Sequence, residues 1–288
     1  MPTELYTDRA LFWGGSLLYA MAFLFALVLI GSKREHIRTI FMTLLVGGFI
    51  FQSLGLYFRG IQEHAFPTSN PFEVLQVMAW CAICLNLVLR QVFKLNLLNF
   101  FSSGLAAVVG VISLAVPGWD YIPPLSPLEG SPWVGFHAAL AVFSYGVFGV
   151  LAITSLMYLM QNHGLTRRKS GGIFSLLPAI RQLEDINSKL IVLGVSVLTV
   201  SIAVGFLNWI SQPGTVGVIK LLIASAVWAA YFVLLYLRNT NKMIASPFAR
   251  ACVVLFIAAL FSLWPLTIRN TPQTPADATG MLNDANQR

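Results

Sequence analysis

The stretch Leu190-Ile-Val-Leu-Gly-Val-Ser-Val-Leu-Thr-Val-Ser-Ile-Ala-Val-Gly-Phe-Leu-Asn-Trp-Ile210 decides the fold class. It runs for 21 residues without one charged side chain. At a helical rise of about 1.5 Å per residue it reaches about 31 Å, the thickness of a bilayer's hydrocarbon core. Within lipid a backbone must satisfy its own hydrogen bonds, and a single segment does so only as an α-helix. Working outward from this span, comparable apolar runs recur along the chain. Eight spans are expected, at 11–31, 38–58, 72–93, 96–116, 134–160, 188–210, 217–237 and 248–268.

The composition agrees. Hydrophobic residues make up 57% of the 288 and charged residues 10%, and the mean hydropathy is +0.76. A soluble domain carries about a quarter of its residues charged, so this chain is expected to be solvated largely by lipid. The fold class expected is all-α: a polytopic integral membrane protein of about eight transmembrane helices. Residues 1–270 read as one transmembrane helical domain, and 271–288 as a disordered polar tail rich in Pro, Thr, Asp and Asn. The first apolar run is long enough to span, so it reads as a helix rather than a cleaved signal. Two loops are long: the Pro/Gly-rich Pro117 to Pro132, and the polar, basic Asn162 to Asn187.

Charge sets the orientation. Alternate loops receive thirteen Lys and Arg, from Lys33 and Arg34 through Arg167, Arg168 and Lys169 to Arg250; the others receive only Arg9, Arg59, Lys220, Arg269 and Arg288. Cationic loops stay cytoplasmic, which puts both termini outside and predicts a multi-pass membrane protein. The net charge of +7 is thus a topology signal and no argument for nucleic acid.

The outer ends gather the unusual side chains. Five of seven tryptophans fall there: Trp13, Trp119, Trp133, Trp209 and Trp264. An aromatic belt would place indoles at the headgroups of both faces; a one-sided set also suits a wall for a flat ligand. His36 and His163 lie among cytoplasmic basic residues and read as loop residues. His64 lies in the outer loop after Arg59. His137, near the start of the fifth span, needs a partner because an unsatisfied imidazole is costly in lipid. That partner is either a neighbouring helix or a metal or haem iron. Glu73, just after Asn70-Pro71, suits the first turn of the third span, where the helix dipole favours a carboxylate. Arg59 and Lys220 lie at its level, able to balance it or to hold anionic groups. Cys81 and Cys84 share a face at i, i+3, but their apolar run disfavours thiolates. Small residues on the fifth span, among them Ala138, Ala141, Gly146 and Gly149, point to close helix packing. Phosphate-binding, dinucleotide, zinc-protease and serine-hydrolase motifs are absent. Midplane carboxylate pairs of the kind proton-coupled transporters use are absent too, with only Gln52, Gln76 and Asn86 scattered there.

Three segments in register resemble the cytochrome c assembly protein family, the membrane haem-handling proteins of the CcsA, ResC and CcmC type. They are His64-Ala-Phe-Pro-Thr-Ser-Asn-Pro-Phe-Glu-Val-Leu running to Trp80, then Phe136-His137 through Gly146, then Leu183-Glu-Asp-Ile-Asn-Ser-Lys-Leu190 through Gly205. The resemblance implies an external haem site, with His137 matching an axial histidine. It further implies haem b as cofactor, Trp133, Trp209 and Trp119 as the porphyrin wall, and His64 and Arg59 as further contacts. Haem, apocytochrome c and another membrane assembly subunit become the expected partners, and a binding and transfer role rather than enzymatic catalysis is expected. Two departures stand out. The family's Trp-rich loop after Gly205 reads Phe206-Leu-Asn-Trp-Ile-Ser-Gln-Pro-Gly-Thr215 here, and Leu263-Trp-Pro-Leu-Thr-Ile-Arg-Asn270 lacks the family's second axial histidine. These make the chain resemble the divergent branch with HemX-like and YpjD-like members, some linked to control of tetrapyrrole synthesis. A haem-free regulatory or scaffolding role is the alternative expectation.

Overall fold

The computed structural model describes residues 2–28, 35–93, 96–120, 132–167, 177–211 and 218–267. Among them the regular structure is α1 (Pro2–Val28), α2 (Glu35–Glu63), α3 (Pro71–Phe93), α4 (Asn96–Ala115), a 3₁₀ turn at Pro117–Trp119, α5 (Pro132–Thr166), α6 (Ile180–Ser211), α7 (Val218–Asn239) and α8 (Ala245–Thr267). All eight helices are long and apolar enough to cross a bilayer, and α6, which contains the stretch quoted above, has the highest mean hydropathy, 2.6. The chain is a multi-pass membrane protein.

Helix α5 is the hub, packed on α3, α6 and α8, while α1 pairs with α2 and α4. Helix α7 is the most lipid-exposed, presenting Val218, Ile219, Leu222 and Phe232 outward. Apolar lipid gives helices no hydrophobic reason to associate, so they meet where side chains are small. A Cβ added at Gly15 of α1 would stand 3.1 Å from the Gly48 carbonyl of α2, and one at Gly146 of α5 would stand 2.6 Å from Cβ of Cys81 on α3. Gly146 is therefore the small residue on which α3 and α5 cross.

The glutamines expected to be scattered form a buried chain through α1–α4. Tyr19 donates to Gln52 Oε1 (2.9 Å), Gln52 Nε2 donates to Gln76 Oε1 (2.8 Å), and Gln76 Nε2 donates to Ser113 Oγ (2.9 Å). Each link joins two helices inside the bilayer, where polar groups need partners.

One end of this half is closed by an ionic knot. Arg59 of α2 has no exposed surface, and its Nη1 donates to Asp8 of α1 at 2.7 Å. Its Nε donates to Glu63 and to Glu73 of α3 at 3.0 Å each, and its Nη2 donates to Asp120. Arg9 also pairs with Asp120 (2.7 Å), and both guanidiniums lie over the Phe72 ring. The knot draws together the ends of α1 to α4 that the charge pattern assigned to one face.

Both described ends of the polar loop expected from Asn162 to Asn187 carry helix. Helix α5 runs on to Thr166, taking in His163, and α6 begins at Ile180. Past the lipid a helix is kept by i, i+4 charge pairs as readily as by apolar residues; Lys189 bonds Asp185 at 2.7 Å, and Glu184 meets Arg238 of α7 at 3.7 Å. Residues 121–131, 168–176 and the tail 271–288 lie outside the described residues, as do Arg269 and the side chain of Trp264.

Candidate functional site

Pro132 opens α5, a position that forfeits no hydrogen bond because the first helical N–H has no partner anyway. His137 follows in the second turn and turns toward α6. Its Nδ1 lies 2.7 Å from the backbone oxygen of Ser201, and Ser201 Oγ donates to the His137 carbonyl at 2.9 Å. A carbonyl oxygen only accepts, so Nδ1 must carry the proton. A neutral ring with its proton on Nδ1 keeps a free lone pair on Nε2. Among the described residues none hydrogen-bonds that nitrogen.

Helix α6 makes room for the ring with Gly205, where an added Cβ would lie 2.7 Å from both Cε1 and Nδ1 of the imidazole. Ser201 and Gly205 are one turn apart, so they share a face. Ser201 and Gly205 escaped notice in the sequence, where attention went to the small residues of α5. The i, i+4 Ser/Gly spacing on the helix antiparallel to the His137 helix was the available signal.

Register extends the two facing stripes toward the helix ends. Trp133 is four residues before His137 on α5, and Trp209 four after Gly205 on α6, each one turn nearer the end. Trp133 is 65% exposed and Phe136 50%. Trp209 is half-buried and meets Phe206 ring to ring at 5.9 Å. His64 is exposed and adopts φ 49°, a left-handed conformation that ends α2. Its loop folds back on α2, with the Ala65 carbonyl 3.5 Å from a Cβ built on Gly60, and touches α5, with Phe66 Cβ 3.8 Å from one built on Gly135. The loop that carries His64 thus touches α5 at Gly135, and residues two apart on a helix do not share a face, so this contact is not on the face that carries His137.

Arg59 departs from the expectation of a propionate contact. Every guanidinium nitrogen is engaged by carboxylates and the side chain has no exposed surface, so an anionic ligand would have to break ion pairs to reach it. Trp119 packs with Phe12, Phe72 and Leu114 beneath the same knot. Glu73 is balanced by Arg59, as its level in the sequence suggested, and it also caps its own helix. Asn70 Oδ1 accepts from the Glu73 N–H (2.9 Å), while Glu73 Oε2 accepts from the Ser69 N–H (2.7 Å). This reciprocal box satisfies free N–H groups at the start of α3. Cys81 is buried at the α3–α5 crossing and Cys84 is half-buried; both are free thiols.

The chain is similar over its length to proteins named HemX. It is 28% identical to that of Brevibacillus brevis over 252 residues, covering 87% of this chain and 92% of the relative. With the HemX of Bacillus subtilis (strain 168) it shares 24% over 267 residues, 88% and 94% of the two chains. The cytochrome c biogenesis protein CcsA of Mesostigma viride is 26% identical over 152 residues, 51% of this chain and 47% of that one. Residues 68–264, which carry α5, α6 and the whole His137–Ser201–Gly205 contact, match the model of the cytochrome C assembly protein family, and the chain belongs to that family.

Proposed function

We propose that this protein binds haem at the outer face of the bacterial cytoplasmic membrane and presents it for c-type cytochrome biogenesis. The observation that carries the reading is the state of His137: Nδ1 is committed to the Ser201 carbonyl, leaving Nε2 as a neutral nitrogen donor. Haem iron takes a neutral imidazole of this kind, and a ligating histidine characteristically donates its other N–H to a carbonyl or carboxylate. A ferric or ferrous porphyrin supplies the group to be attached, and the residues here supply its seat. Trp133 and Trp209 would wall it, and His64, as the family resemblance implies, would be a further contact. Lys220, half-buried in the first turn of α7 and in no ion pair with a described residue, would meet a propionate in place of Arg59. Haem b is the proposed cofactor, with apocytochrome c and a second membrane assembly subunit as partners. Catalysis by this chain itself is not required.

The test is the absorbance spectrum of detergent-purified protein supplied with haemin. A Soret band distinct from free haemin is expected, weakening or shifting in His137→Ala. A wild-type spectrum no different from haemin in detergent alone would sink the proposal.

The whole-length likeness to HemX proteins, against half-length likeness to CcsA, favours keeping a second reading. In it the chain retains the fold as a regulatory or scaffolding protein linked to tetrapyrrole synthesis, working through the basic segment between α5 and α6. A cytoplasmic partner whose binding is lost when Arg167, Arg168 and Lys169 are neutralised, with no haemin binding, would select it.

A further inference from the structure

One face of α6 makes every polar contact that His137 has with the described residues. Ser201 contributes its carbonyl at 2.7 Å from Nδ1 and its hydroxyl at 2.9 Å from the His137 carbonyl, and Gly205 contributes the absence of a side chain where the ring lies. We propose that Ser201 and Gly205 are positioning residues that hold the His137 imidazole in one orientation and one tautomer, so that Nε2 is the donor offered to the ligand. The ligand part of this inference rests on the haem-binding reading; the tautomer part does not.

The physical case is that a ligating imidazole is oriented, and made more basic, by the acceptor on its other nitrogen. Here that acceptor is a helix carbonyl that cannot rotate away. The ring reaches it only because residue 205 has no Cβ, since any larger residue would stand 2.7 Å from two ring atoms. Gly205→Ala should therefore push the imidazole off the Ser201 oxygen, the added Cβ also lying 3.3 Å from Nε2. Gly194 is the matched control. It lies on the same α5–α6 seam, and a Cβ there would clash still more closely with the Phe148 ring, far from any histidine.

Two measurements test this. In haem-free protein labelled with ¹⁵N-histidine, the His137 signals, assigned by their loss in His137→Ala, should show a protonated Nδ1 and an unprotonated Nε2. Gly205→Ala should mix the tautomers, whereas Gly194→Ala should not. On haemin titration, Gly205→Ala should bind about 10–100-fold more weakly, the range for loss of an outer-shell partner, and Gly194→Ala less than about 10-fold more weakly, below that range. A protonated Nε2 in the unaltered protein overturns the inference, and that measurement needs no variant to fold. Equal effects of the two glycine variants overturn it as well, because packing alone would then explain both. If the tautomer result holds and haemin does not bind the wild type, the positioning stands and the haem-binding reading falls.

Discussion

Arg59→Leu removes the cation shared by Asp8, Glu63, Glu73 and Asp120, whose side chains are 0%, 6%, 0% and 4% exposed. Leucine fills much of the space but supplies no donor, so four carboxylates remain enclosed with Arg9 as the nearest remaining cation. Breaking one buried ion pair by deleting a partner costs about 3–5 kcal/mol, mainly through the charge left behind. The four pairs share one guanidinium and are not additive, so that figure serves as the floor for the whole knot. At about 2–4 °C per kcal/mol for a chain of this order of size, the melting temperature should fall by about 6–20 °C. Intrinsic tryptophan fluorescence of the detergent-solubilised protein during heating reads it directly. Arg59→Lys should recover part of the loss, because a point charge with three donors cannot reach carboxylates arrayed around a planar fork. A melting temperature within about 2 °C of wild type for Arg59→Leu would refute the argument, that being the size of a change of less than one kcal/mol. Unchanged stability combined with weakened haemin binding would return Arg59 to the propionate role that its place in the sequence suggested.

Further substitutions probe neighbouring features by the same melting assay. Asn70→Ala removes the N-cap of α3 and should cost about 1 kcal/mol, seen as a drop of a few degrees. Gln52→Leu orphans the Tyr19 hydroxyl and the Gln76 carbonyl oxygen, at about 1–3 kcal/mol; the double variant with Tyr19→Phe should lose less than the two singles added together. His64 sits at φ 49°, so His64→Gly should hold or slightly raise stability while His64→Val lowers it by about 1–2 kcal/mol. If His64 is also a haem ligand, both variants change the haemin spectrum although their stabilities move in opposite directions.

The spans were readable in the sequence because lipid imposes one rule on every segment: about 20 apolar residues with the charges pushed to the ends. That rule says nothing past the headgroups, which is why α5 runs on to Thr166 and α6 begins at Ile180, before its expected limit, with the charge pair of Asp185 and Lys189 in its early turns. His137 stood out as a polar group that needed a partner; which partner it takes depends on a carbonyl 64 positions away, and a backbone atom leaves no mark in a side-chain pattern. Arg59 sits at the level its hydropathy context gives it, and of the two partners expected there it takes the carboxylate of Glu73. Glu63 lies four residues on along the same helix, whereas Asp8 and Asp120 reach the guanidinium only through the packing of α1 against α2 and α4.

The structure divides the family likeness into parts with different jobs. The segment from His64 to Glu73 resembles the family through residues that here build architecture: Asn70 and Glu73 cap α3, and Glu73 helps to enclose Arg59. That segment can be kept for folding alone and is weak evidence for a ligand. The other two segments lie on the packed helices α5 and α6, where His137 on one helix meets Ser201 and Gly205 on the other. A purely structural histidine would need only a hydrogen bond to one nitrogen, and His137 has that. Among the described residues none hydrogen-bonds the second nitrogen. Its protonation and ligation are therefore where the haem-binding and the haem-free readings of this chain predict different outcomes.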